Sequence, residues 1–124
     1  MRHDQHKDMR PKTLSAHSLT GNGVVNPQGE DLGKIEEIMI DLNNGQVAYC
    51  VLSVGGFLGM GDKLFAIPWQ AMTVDTERKV FVLNVEREML KNAPGFDRHN
   101  WPDMEAEDWL VGVYNFYGYN PYWR

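Results

Sequence analysis

The sequence between residues 33 and 54 contains an asparagine–glycine pair that separates two apolar segments. Asn44 and Gly45 follow residues 33–42 and precede the segment VAYCVLSV, which begins at Val47. Asn-Gly is the pair that two-residue type I′ turns favour, because both central residues of that turn need a positive φ. We therefore predict a β-hairpin with a type I′ turn here, in a chain built on antiparallel strands.

The two segments of this hairpin differ in how apolar their faces are. The first predicts one buried face and one wet face: Ile38, Ile40 and Leu42 against Glu37, Met39 and Asp41. The second is apolar on both faces: Val47, Tyr49 and Val51 on one, and Ala48, Cys50, Leu52 and Val54 on the other. Continuous apolar character of this kind predicts a central strand that is buried on both sides.

Further short strands are predicted on both sides of the hairpin. They lie at residues 14–19, near Val24 and Val25, at residues 64–67 and at residues 80–85. Pro68 cannot donate to a ladder, so strand pairing should weaken there. The segment VEREMLKNAPGF predicts one short helix that ends before Ala93. About six short strands and one short helix indicate a mainly β fold, a small β-barrel.

The two ends of the chain differ from this strand-rich part. Residues 1–12 are polar without periodicity and predict a flexible arm. Residues 98–124 form a tail that is acidic first and then aromatic, with Trp109, Tyr114, Phe116, Tyr117, Tyr119, Tyr122 and Trp123. Each of these rings is worth about 1.5–3 kcal/mol when fully buried. The tail is therefore expected to dock, either on its own barrel or on a second subunit.

Composition and charge argue against several classes of function. A formal net charge of −5 argues against binding nucleic acid or anionic lipid through a broad basic face. No segment approaches the roughly 20 apolar residues that span a bilayer, so stable membrane insertion is not expected. The first residues, MRHDQHKDMRPK, lack the apolar core of a secretory signal, and we therefore expect a cytoplasmic protein.

No spacing in the sequence assembles a catalytic or metal-binding set. The candidate nucleophiles and bases are Ser53, Cys50, His17 and His99. A buried strand thiol is the simpler interpretation of Cys50, because a reactive thiolate favours a cationic and partly open setting. His3 and His6 lie in the polar arm and are interpreted as a solvated pair. Asp41, Asn43 and Gly45 imitate the start of a calcium loop, but the closing glutamate is missing, so they are interpreted as turn residues. We expect no enzyme activity, no cofactor and no metal.

Residues 54–69 read VGGFLGMGDKLFAIPW and hold four glycines. A phosphate-binding loop would end in Gly-Lys-Ser/Thr or follow G-x-G-x-x-G into a helix. Here Gly61 is followed by Asp62, whose carboxylate would repel a phosphate. We interpret the glycines as residues that shape sharp turns. The alternative is a binding mouth where a partner's main chain approaches closely.

Several motifs in order resemble the PRC-barrel family. They are Leu14-Ser15-Ala16, GEDLGKI from Gly29 to Ile35, Ile40-Asp41 before the Gly45 turn, GGFLGMG with Ile67-Pro68-Trp69, and residues 90–96. This family is the small β-barrel named for the cytoplasmic part of the photosynthetic reaction centre H subunit, and it also occurs in the ribosome maturation factor RimM. The resemblance covers roughly residues 11–97 and is greatest to stand-alone bacterial members. It predicts a PRC-barrel domain at residues 13–97.

The resemblance implies a docking or adaptor module. We therefore predict a non-catalytic protein-interaction module with a protein partner. A two-fold homodimer is predicted as well, because the tail carries more aromatic surface than one face of a short barrel should cover. Its expected interface comprises the seven tail aromatics named above together with Phe57, Leu58 and Met60. The alternative is a small-ligand carrier that uses the barrel mouth from Phe57 to Met60.

Overall fold

The computed structural model describes residues 10–54, 63–103 and 107–124. The seven strands in these ranges form one sheet. The strands are β1 Gly23–Val25, β2 Asp31–Asp41, β3 Gln46–Ser53, β4 Lys63–Ile67, β5 Met72–Asp75, β6 Val80–Leu83 and β7 Gly95–Asp97. The helices are α1 Ala16–Leu19 and α2 Glu107–Phe116, with 3-10 turns at Trp69–Ala71 and Arg87–Asn92. The mainly β fold is confirmed, with one strand more than the predicted six and more short helices than the predicted one.

The strand order across the sheet is β5-β6-β1-β2-β3-β4-β7. All neighbouring strands pair antiparallel except β1 and β6, which pair parallel with Val24 opposite Phe81. Among the described strands, β5 pairs only with β6, and β7 pairs only with β4. This part of the chain therefore forms an open sheet where a closed barrel was predicted. Edge strands of four and three residues offer few ladder bonds with which to close it.

Apolar clusters cover both faces of the sheet. The first cluster includes Val24, Ile35, Cys50, Leu52, Phe65, Ile67, Phe81, Leu83 and Leu90. The second cluster comprises Ala48, Tyr49, Val51, Leu64, Ala66, Phe96 and Val113. Strands β3 and β4 supply residues to both clusters, which confirms the prediction that the strand at VAYCVLSV is central. The prediction that Met39 lies on a wet face is wrong, because Met39 packs against the second cluster.

A bulge in the β2–β3 hairpin decides which side chains reach each face. The pairing passes from Met39–Tyr49 directly to Ile40–Val47, so Ala48 is an extra residue in β3. A bulge interrupts the alternation of side chains. Ala48 and Tyr49 therefore both join the second cluster, whereas Val47 packs against the first. The predictions that Val47 shares a face with Tyr49 and that Ala48 shares a face with Cys50 are wrong for this reason.

The hairpin itself is confirmed, but its turn differs from the predicted one. Asp41 pairs with Gln46, so the loop has the four residues between them. Gly45 has a φ of 67° and its N–H donates to the Asp41 carbonyl at 2.8 Å, whereas Asn44 is not at positive φ. The Asp41 carboxylate accepts from the N–H groups of Asn43 and Asn44 at 2.9 and 3.3 Å. These hydrogen bonds from the loop amides to the Asp41 side chain favour a four-residue loop over a two-residue type I′ turn.

The predicted first strand at residues 14–19 is a helical turn instead. Ser15 precedes α1, and its hydroxyl accepts from the Ser18 N–H at 3.1 Å. The Ser18 hydroxyl in turn donates to the Ser15 carbonyl at 2.7 Å. Local bonds between serine side chains and the backbone favour a capped turn over a strand ladder.

Candidate interaction surface

The aromatic tail packs on the sheet of its own chain. Val113 and Tyr114 of α2 are fully buried, and Val113 belongs to the second cluster. The Tyr114 hydroxyl donates to the carbonyl of Ala48, the extra residue of the bulge, at 2.5 Å. Trp109 meets Tyr49 edge-on with ring centroids 5.7 Å apart. The tail thus bonds the backbone of the one residue of β3 that has no register partner at this bulge.

The residues after α2 fold back over the second-cluster face. Their side chains donate hydrogen bonds to two carboxylates, Asp41 at the end of β2 and Glu107 at the start of α2. Gly118, with a φ of 82°, turns the chain after the helix. The Tyr122 hydroxyl donates to Asp41 at 2.5 Å, and the Trp123 indole N–H donates to Glu107 at 2.8 Å. The tail and the β2–β3 hairpin line an open cavity of about 590 Å³ between them.

Both carboxylates are held in their ionised form. The Tyr122 hydrogen bond, helped by loop amides, lowers the pKa of Asp41. The hydrogen bonds from Trp123 and Arg124 lower the pKa of Glu107. Burial, and then the bond to Asp41, raises the pKa of Tyr122, which therefore keeps its donating proton at neutral pH. The tail contacts are strongest when both acids are charged.

We expect the stabilising effect of the Tyr122–Asp41 bond to disappear in acid. The pKa of Asp41 in the folded chain lies below its ordinary value of 3.8. The bond therefore stabilises the fold above that pH, and this stabilisation is lost as the pH falls through the folded pKa. Tyr122→Phe should lower the thermal midpoint at neutral pH, by an amount that shrinks below pH 3.8. A difference that stays constant with pH, or one that Tyr119→Phe reproduces, would contradict this.

A second cavity lies on the first-cluster face, between β5 and the end of the β2–β3 hairpin. It measures about 670 Å³ and is mostly apolar. Val74 and Thr76 bound it on the β5 side, and Ile38, Ile40 and Val47 bound it on the hairpin side. Five residues between positions 12 and 19, including Leu14 and Leu19, together with Gly45 and Trp69, supply the rest of its lining. We call this cavity the β5 groove.

Three exposed apolar side chains lie beside the β5 groove and in the β2–β3 hairpin. Leu14 is 54% exposed, Ile40 is 50% exposed and Leu42, in the hairpin loop, is 91% exposed. Leu14 and Ile40 line the β5 groove, and Ile40 and Leu42 line the cavity beneath the tail. We call these three residues the apolar end patch. The prediction that Ile40 and Leu42 lie on a buried face is wrong, because both side chains are exposed. The position of Leu42 directly before Asn-Asn-Gly, in the hairpin loop, was a usable signal of this exposure.

The predicted interface residues occupy several different settings. Phe57, Leu58 and Met60 lie outside the described residues, as do His3 and His6. Tyr114 is buried inside the chain, Trp109, Phe116, Tyr117, Tyr122 and Trp123 are half-buried, and Tyr119 is 38% exposed. The structure thus brings most tail aromatics together on one face, where they bury much of their surface within the chain. Their role in an intermolecular interface stays a prediction.

The setting of Cys50, one of the candidate nucleophiles, is unfavourable for a reactive thiolate. Cys50 is buried in the first cluster, and burial raises the pKa of its thiol to about 12. In the described ranges, no group of three or more His, Cys, Asp or Glu side chains is placed to hold a metal. Asp41 and Asn43 organise the hairpin turn, as predicted for turn residues.

The described helices all fall short of the length and apolar character that a membrane-spanning helix needs. No curated protein matches the chain. The sequence does match the PRC-barrel domain over residues 11–90, which is more than half of its length and includes strands β1–β6. The tail that covers the second cluster lies beyond this match. On this match and the mainly β sheet, the chain belongs to the PRC-barrel domain family.

Proposed function

We propose that this PRC-barrel domain is a non-catalytic protein-interaction module that acts as an adaptor. The observation that carries the proposal is the apolar end patch formed by Leu14, Ile40 and Leu42. Burying a leucine or isoleucine side chain is worth about 1.5–3 kcal/mol, and three neighbouring side chains are left exposed here. Apolar side chains grouped at one end of a small domain are typical of a surface that a protein partner covers.

The tail strengthens this interpretation because it covers the other large apolar surface. Tyr49 and Phe96 of the sheet lie beneath α2 and are less than 9% exposed. With that face covered from within the chain, the end patch groups the most exposed apolar side chains of the described residues. We therefore place the partner at the patch and assign the tail aromatics mainly to the fold.

A comparison of proteins retained by three forms of the full chain tests the proposal. The forms are the natural chain, the double variant Leu14→Glu/Leu42→Glu, and the control Met89→Glu, whose side chain is 43% exposed outside the patch. We expect at least one protein from the source cells to be retained by the natural chain and the control but lost with the double variant. The same retained proteins with all three forms would contradict the proposal.

A small-ligand carrier is the alternative, and the size of the two cavities favours it. Cavities of about 590 and 670 Å³ fall within the roughly 300–1,000 Å³ of ligand pockets. Thermal-shift screening separates the two functions, since a ligand that binds only the folded chain raises its midpoint. Stabilisation by one class of metabolite supports a carrier. Stabilisation only by a retained protein supports an adaptor.

Self-association as a two-fold homodimer remains part of the proposal. Tyr119 is the tail aromatic with the most exposed side chain, so Tyr119→Ser is a cleaner probe than removal of the tail, which would bare the second cluster. Light scattering at tens of micromolar tests the dimer, because an interface of micromolar affinity is then mostly formed. A monomer at that concentration would rule out the dimer, and a dimer unaffected by Tyr119→Ser would leave this side chain out of its interface.

A further inference from the structure

Strand β5 lies at one edge of the sheet and leaves its outer side without a strand in the described part of the chain. Its four residues pair with β6 from Met72–Leu83 to Asp75–Val80. The opposite edge differs, because Asp97 of β7 bridges to Asn100. An unpaired edge presents backbone N–H and C=O groups that another extended chain can use.

The β5 groove is lined in part by Val74 of this strand, and its volume of about 670 Å³ is large enough to take side chains. It continues into a smaller cavity of about 230 Å³, and the two share Leu14, Leu19, Val74 and Thr76 in their linings. A strand added at the edge would place every second side chain on the groove side. A ladder and an apolar groove together favour an extended segment with apolar residues at alternating positions.

The charged residues around the groove indicate which charges the two ends of a bound segment would carry. Lys12 lines the larger cavity and Lys79 lines the smaller one. Asp75 is paired with Arg78 at 2.8 Å, so it does not offset these lysines. The groove is thus locally basic on a chain whose net charge is −5. Acidic residues at the ends of a bound segment complement it.

We propose that the β5 edge and groove bind an extended segment of a partner protein as an added strand, with alternating apolar residues in the groove and acidic residues at its ends. This inference rests on the proposed adaptor function and specifies the chemistry of the partner. A second copy fits less well, because Met72 and Val74 of its own β5 already pack against its own first cluster. Pairing of two β5 edges would leave both grooves empty.

Selection of peptides from a random display library against the full chain tests the inference. We expect the enriched peptides to share alternating apolar residues with acidic flanks. Binding of the best synthetic peptide should shift the amide resonances of Met72–Asp75. N-methylation of the alternate peptide amides that face β5 should weaken binding about tenfold or more, because it removes ladder hydrogen bonds of about 1 kcal/mol each. Lys12→Glu/Lys79→Glu should weaken binding about tenfold, and Lys34→Glu, outside the groove, should not.

Any of the following results would overturn the inference: no enriched peptide, enriched peptides that still bind after N-methylation, or resonance shifts confined to the tail. Resonance shifts that follow protein concentration without peptide would identify a second copy as the occupant and would also overturn it. These failures are distinct from failure of the adaptor function. A partner lost with Leu14→Glu/Leu42→Glu, combined with an unperturbed β5, would keep the function and remove the added strand.

Discussion

Replacing Tyr114 by alanine is expected to lower the free energy of unfolding by about 3–5 kcal/mol, the usual range for deleting a buried aromatic ring. The ring is fully buried and packs against Tyr122 and Trp123, with centroids 6.0 and 5.4 Å away. The change also removes the donor to the Ala48 carbonyl in the bulge. Urea unfolding followed by tryptophan fluorescence measures the effect.

Two matched variants separate the contributions of this side chain. Tyr114→Phe keeps the ring and removes its hydroxyl, which donates to the Ala48 carbonyl and also bonds the Gln70 side chain, so we expect a loss of about 1–2 kcal/mol. Tyr119→Ala changes a tyrosine that is 38% exposed and should cost less than about 1 kcal/mol. If Tyr114→Ala costs no more than Tyr119→Ala, the tail does not pack on its own sheet as described.

Gly33→Ala is the second change with a large expected effect, a loss of at least about 3 kcal/mol. Gly33 has a φ of 134°, where side chains other than hydrogen are strained. A Cβ atom there would lie 2.3 Å from the Ser53 carbonyl oxygen, so strand β2 or β3 would have to move. A shift of the β2 or β3 backbone is costly, because it would disturb the side-chain packing on both faces of the sheet.

Gly112→Ala is the matched control for this substitution and should have the opposite sign. Gly112 lies inside α2, and a Cβ there meets nothing within 4 Å. Alanine is a better helix former than glycine by about 0.5–1 kcal/mol, so the variant should be more stable by that amount. Thermal unfolding of both variants measures the pair. Similar changes in both would contradict the close approach of Gly33 to Ser53.

The strand-rich middle of the fold was predictable because its signals are local. Apolar residues on both faces of VAYCVLSV predicted a central strand, and β3 is buried on both sides. The turn type was not predictable from Asn44-Gly45 alone, because the Asp41 carboxylate competes for the loop amides. The exchange of faces at Val47 depends on the Ala48 bulge, which arises from strand register and has no signal in the sequence pattern.

Helix α2 shows where local signals fail. Its sequence EDWLVGVYNF contains β-branched, aromatic and glycine residues that are poor helix formers. Its helix depends on packing Val113 and Tyr114 onto the sheet, which is a tertiary effect. The sequence predicted that the tail must dock and left open where. It pointed to aromatics as interface residues, whereas Ile40 and Leu42 at the hairpin end were predicted to be buried and are exposed.

Amide hydrogen exchange of the full chain, alone and with the protein that the patch variant fails to retain, tests the central claim most directly. The claim is that a partner covers the apolar end patch and the β5 groove. We predict slower exchange at Met72–Asp75 and at the hairpin residues from Ile38 to Val47, with little change in α2. Slower exchange confined to the tail residues from Trp109 to Trp123, with an unchanged β5, would contradict the account.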